Sequence, residues 1–110
     1  MESGYVKAAL KSEIPVGKMK MVKLGDKEVL IANVNGNFYA INNSCTHAGT
    51  ALSQGTLDGN VVECPKHHSK FDVITGKVVS SPKIAFFHPK IQDEPSYPVK
   101  VENEDIMVKL

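Results

Sequence analysis

Val29-Leu30-Ile31-Ala32-Asn33-Val34-Asn35-Gly36-Asn37-Phe38-Tyr39-Ala40-Ile41 is the stretch on which the fold turns. Asn35-Gly36 divides two apolar runs, and both residues accept the positive φ that a tight hairpin turn demands. The pair therefore joins a strand over 29–34 to one over 38–41. Upstream, the apolar-rich runs 18–24 and 27–34 flank Gly25-Asp26 and read as a second hairpin, although apolar and polar residues alternate cleanly only around Met19 and Met21. Downstream, further strands are predicted at Val61–Glu63, Lys70–Asp72, 77–79, Val99–Glu102 and 106–109, with turns at Asp58-Gly59 and Thr75-Gly76. No stretch of ten or more residues combines helical periodicity with caps at both ends, and 48–53 supplies at most a turn or two. The fold class is all-β: an antiparallel barrel or sandwich, with a metal-binding subdomain over 43–80.

That subdomain holds the chemistry. Cys45-Thr46-His47 is followed, after sixteen intervening residues, by Cys64-Pro65-Lys66-His67, which uses both cysteines of the chain. Thiolates are soft donors and imidazole a borderline one, so two such pairs at short spacing point to a transition metal. Two sites compete for the set. One is a tetrahedral zinc; the other is a two-iron, two-sulfide cluster in which two histidines replace two cysteines on one iron. Zinc fingers draw their cysteines from one knuckle and their histidines from one helix. Here each segment brings one of each, so two parallel loops can set both sulfurs on one iron and both imidazoles on the other.

In this arrangement the sequence resembles the Rieske family, whose pattern is C-x-H, fifteen to seventeen residues, then C-x-x-H. Gly49, Leu52 and Gly55 stand at the family's positions, Pro65 lies inside the second loop, and Phe71-Asp72 with Thr75-Gly76 match its F-D-x-x-x-G ending. Pro82 and Tyr97-Pro98-Val99 resemble the closing segments, and the resemblance runs from Leu10 to Leu110. It implies a [2Fe-2S] cluster, one per chain, held by Cys45, His47, Cys64 and His67. Neutral imidazoles in place of thiolates leave the reduced cluster less negative and raise its potential above that of plant-type ferredoxins. Their second ring nitrogens, if turned outward as the resemblance implies, couple electron and proton affinity.

The same resemblance assigns tuning roles around the cluster. Quinol-oxidising members carry an extra cysteine in each loop, paired as a disulfide; Thr50 and Lys66 stand at those positions. Ser69 sits where high-potential members donate a hydroxyl to a bridging sulfide, and Phe71 where they have a tyrosine whose hydroxyl reaches a cysteine sulfur. Pro82 belongs to the segment that shields the cluster from water. The expected potential is below that of the quinol-oxidising members and above that of ferredoxins lacking the serine. His68 replaces the family's usual glycine and reads as an exposed polar residue, as does His88. Between Pro82 and Tyr97 the chain is longer than in small Rieske ferredoxins, and Phe86 and Phe87 there read as buried cover rather than a docking patch.

Composition narrows the function. The 110 residues and 42% hydrophobic content suit one domain, 1–110, with one core. A net charge of +1, from 13 basic residues that are all lysine and 12 acidic ones, argues against nucleic acid as a partner. No run approaches the ~20 apolar residues of a membrane span, the start shows no charged segment leading into an apolar one, and no cysteine is left for a disulfide. A cytoplasmic protein without a membrane partner is expected. There is no glycine-rich nucleotide fingerprint and no nucleophile with a base outside the Cys/His pairs. The expected function is a one-electron carrier, not an enzyme, linking a reductase to a terminal oxidoreductase such as an oxygenase. The alternatives are a small Rieske subunit of a nitrite-reductase-like or arsenite-oxidase-like complex, and a zinc-binding interaction module.

Overall fold

The computed structural model describes residues 4–44, 51–65, 69–80 and 93–110. Among the described residues every strand pairing is antiparallel. Among the described residues, strands β1 (Tyr5–Leu10), β2 (Met19–Leu24), β3 (Lys27–Val34), β4 (Asn37–Asn42), β5 (Thr56–Asp58), β6 (Val61–Glu63), β7 (Lys70–Asp72), β8 (Val78–Ser80), β9 (Ser96–Tyr97), β10 (Val99–Glu102) and β11 (Asp105–Lys109) form three sheets. Their orders are β1-β11-β10, β2-β3-β4-β9 and β5-β6-β7-β8.

The β3–β4 hairpin is the wall between two cores. Asn35 and Gly36 adopt φ of 54° and 92°, as the sequence requires, and Val34 pairs with Asn37 across the turn. Asn33 locks that turn: its Oδ1 accepts the Gly36 N–H at 2.8 Å and its Nδ2 donates to the Ile14 carbonyl at 2.8 Å. On one side of the wall, Leu30, Ala32 and Ile41 pack with Leu52, Val62, Cys64, Phe71 and Val73. On the other, Val29, Ile31, Phe38 and Ala40 pack with Ala9, Ile14, Ile106 and Val108. A strand buried on both faces reads as a continuous apolar run, which is why the sequence of β3 shows little alternation. Each fully buried aliphatic chain there stabilises the fold by about 1.5–3 kcal/mol. At β2, which lies at the sheet edge, Met19 is half-buried and Met21 is exposed.

Three strands escaped the sequence reading. β1 pairs with β11 from the far end of the chain, and β9 adds only Ala40↔Tyr97 and Ile41↔Ser96 to β4. β5 exists as three pairs with β6. The strand predicted at 77–79 is displaced by one residue to Val78–Ser80, where the register with β7 shifts between Lys70 and Phe71. The turn expected at Asp58-Gly59 falls at Gly59-Asn60, with Gly59 at φ 61°. Of the short helical allowance at 48–53, residues 48–50 lie outside the described residues, and a 3-10 turn spans Leu52–Gln54.

Candidate metal centre

Three segments leave the framework and return to it at nearly the same place, and their bases are closed by hydrogen bonds. The first departs from β4. Ser44 and Ala51 form an isolated antiparallel bridge, so the chain that contains Cys45 and His47 begins and ends side by side. The second departs from β6, where the Cys64 N–H donates to the Ser69 carbonyl at 2.8 Å. The third departs from β8 and comes back at Asp93, whose Oδ1 accepts the Val78 N–H at 2.8 Å, while the Glu94 N–H donates to the Gly76 carbonyl at 2.7 Å. The returning chain then joins β4 through the Asn42 N–H and the Pro95 carbonyl, 2.9 Å apart.

Two glycines bring these bases together. A Cβ on Gly55 would lie 1.9 Å from the Glu63 carbonyl oxygen and 3.2 Å from Pro65 Cδ. Only a hydrogen at that place lets the exit of the first segment press against the start of the second. Gly76, at φ +80°, offers the same access to the third: a Cβ there would meet the Glu94 carbonyl oxygen at 2.1 Å. Leu52 completes the join by burying its side chain fully in the core beneath.

Among the sequence-predicted site residues, Cys64, Ser69 and Phe71 are described, and the structure gathers them. All three are fully buried, and Cys64 and Phe71 share one apolar core. Phe71 brings a hydrocarbon ring to the core that also holds Cys64. Cys45, His47, Thr50, Lys66, His67 and Pro82 lie outside the described residues, as do His68, Phe86, Phe87 and His88. The outward face of the small sheet carries Glu63 and Lys70, with the Lys70 Nζ 4.0 Å from the Glu63 Oε1 and both side chains well solvated.

The donor chemistry fits a [2Fe-2S] group. A buried thiolate is costly unless a cation compensates it, and Cys64 is placed where its segment leaves an apolar core and its closed base adjoins the base of the segment carrying the other pair. Water is excluded from the core side by Leu52, Val62, Phe71 and Val73. Sequence reasoning missed Asn43, Asp93 and Glu94, whose contacts close the first and third bases. The one signal for the acidic pair was its place at the end of an unusually long connection.

A family model for the Rieske [2Fe-2S] domain matches residues 4–105. The ferredoxin component of the naphthalene 1,2-dioxygenase/salicylate 5-hydroxylase systems of a Ralstonia species is 38% identical over 110 residues, covering 100% of this chain and 99% of that protein. The biphenyl dioxygenase ferredoxin subunit of Pseudomonas sp. strain KKS102 is 40% identical over 105 residues, covering 94% and 90%. Among solved structures, the complex of reduced oxygenase and oxidized ferredoxin in carbazole 1,9a-dioxygenase contains a chain that superposes with a TM-score of 0.84 at 31% identity, covering 98% of this chain and 94% of that one.

Proposed function

Since the chain belongs to the Rieske [2Fe-2S] family, we propose that it carries single electrons from a reductase to a terminal oxygenase acting on aromatic rings, as a cytoplasmic ferredoxin with no catalytic site of its own. The observation that carries this reading is end-to-end similarity to ferredoxin components of dioxygenase systems. When bound, the [2Fe-2S] group supplies a reversible one-electron couple. The chain's own part is to hold and shield it. Cys45 and Cys64 are assigned as the sulfur ligands and His47 and His67 as the imidazole ligands. Cys64, at the wall of the core, is kept from water by Phe71 and Leu52. Ser69, buried beside it, would donate its hydroxyl to a sulfide and so favour the reduced state.

The test is twofold. The reduced protein should give the low average g-value of mixed histidine and cysteine ligation in its electron paramagnetic resonance spectrum. It should also be required for turnover when combined with an aromatic-ring dioxygenase and its reductase. A colourless preparation holding one zinc and no acid-labile sulfide would overturn the assignment. Within it, Ser69→Ala should lower the reduction potential; an unmoved potential would remove the serine from the tuning set.

A further inference from the structure

Among the described residues, the base of the second ligand-bearing segment, which spans the four residues between Cys64 and Ser69, is closed by a backbone hydrogen bond. The first spans the six residues between Ser44 and Ala51 and recruits a side chain two positions before Cys45. Asn43 is 1% exposed and is bonded in four directions. Its N–H donates to the Glu28 carbonyl at 2.9 Å, and its own carbonyl accepts the Leu52 N–H at 2.6 Å. Its Oδ1 accepts the Ser53 N–H at 3.0 Å, and its Nδ2 donates to Glu28 Oε1 at 3.3 Å. One amide thus ties the departing chain, the returning chain and the first residues of β3 into a single knot.

We propose that Asn43 is a positioning residue for the cluster: by clamping both ends of the 45–50 segment to β3, it sets how firmly Cys45 and His47 retain their share of the metal site. The inference rests on the assignment of those two residues as ligands. Cys45 and His47 follow Asn43 by two and four residues, so a base that opened would give water and chelator access to the site they are assigned to. Removing the amide leaves the Ser53 N–H without its acceptor in a part-buried base, so opening is favoured locally while the long ladders of β2, β3 and β4 stay paired.

The experiment uses the assembled holoprotein and follows bleaching of the visible cluster spectrum under excess chelator, with amide hydrogen exchange in β2 and β3 as the control. Asn43→Ala should speed cluster loss by about 10–100-fold, the usual scale for residues that orient ligands, without faster exchange in those strands. Asn43→Asp keeps an oxygen for the Ser53 N–H but sets a carboxylate against Glu28, so its loss rate should lie between. Adding Glu28→Gln to Asn43→Asp restores a donor–acceptor pair with reversed polarity and should return the rate towards the parent's. If Asn43→Ala does not accumulate, the Asp pair decides the matter alone. Parent-like bleaching of Asn43→Ala, exchange rising in parallel throughout β2 and β3, or failure of Glu28→Gln to rescue would each overturn the proposal. Cys45→Ser separates the two claims: an unchanged cluster in that variant refutes the ligand assignment, whereas cluster loss there with parent-like Asn43→Ala refutes only the clamp.

Discussion

The β2–β3–β4 wall and the β5–β8 sheet are built on opposite principles. The wall has strands of six, eight and six residues, paired without a break from Met19↔Ala32 to Leu24↔Lys27 and from Val29↔Asn42 to Val34↔Asn37. The small sheet has four strands of three residues each and a register shift in its last pair. Three-residue ladders contribute little on their own, so that sheet depends on the core it shares with the wall and on single-atom fits at Gly55 and Gly76. Redundant pairing makes the wall tolerant of local change. The small sheet trades that tolerance for loop ends that are fixed beside the proposed ligands.

Changing one side chain in each region tests this contrast. The largest effect on the site is expected from Gly55→Ala, because the added carbon would overlap the Glu63 carbonyl oxygen and force the backbone at 63–65 to move. Overpacking of this kind costs about 1–3 kcal/mol or more, and here the displaced backbone runs directly into Cys64. The variant should be isolated without cluster colour while its far-UV circular dichroism retains the β signal of the wall. Ile31→Ala opens a cavity in the opposite core and should lower unfolding free energy by about 2–5 kcal/mol in denaturant titration. Its folded form should nevertheless keep the parent visible spectrum and potential. Bleaching of Ile31→Ala at temperatures where it stays folded would break the comparison, since the wall would then be shaping the site. Asp93→Ala deletes a single acceptor from an exposed Val78 N–H, so urea unfolding should show a loss of about 0.5–1.5 kcal/mol. A larger loss would mean that the return of the third segment holds the small sheet down.

How far the sequence could be read follows the same division. Asn35-Gly36 announced its hairpin because turn chemistry is local, and the strands flanking it were long enough to be seen. Cys64 was legible through its pairing with His67, Leu52 and Gly55 only through the resemblance to the Rieske pattern, and Gly76 through that pattern and its turn; the structure supplies the reasons: a buried sulfur, a core leucine and two close approaches to backbone oxygens. β1 was not legible, because Tyr5–Leu10 becomes a strand only by pairing with Asp105–Lys109. The same holds for β5 and β9, which are too short to carry a period. Asn43 gave no signal at all. An asparagine at the end of a strand looks like any turn residue until the backbone groups it binds, nine and ten positions later, are folded against it.

The smallest effect should come from the edge of the wall, where Glu13 links β1 to β2. Its carboxylate accepts the Lys20 ammonium and, at 2.8 Å, the Leu10 N–H. The Lys20 hydrogen bond first and the Leu10 N–H second hold its pKa below the ordinary carboxylate value. A depressed folded pKa means that the unfolded chain takes up the proton more readily, so the contribution is complete above the unfolded value and disappears as pH falls through the folded one. Because the group is fully exposed, screening keeps that contribution small. Glu13→Gln should therefore melt marginally below the parent at neutral pH, by a wider margin in low salt. The two melting curves should converge as pH drops below the usual carboxylate range. A gap that persists in acid would trace the difference to packing at the Leu10–Glu13 turn rather than to charge, and would extend the wall's tolerance to one edge fewer.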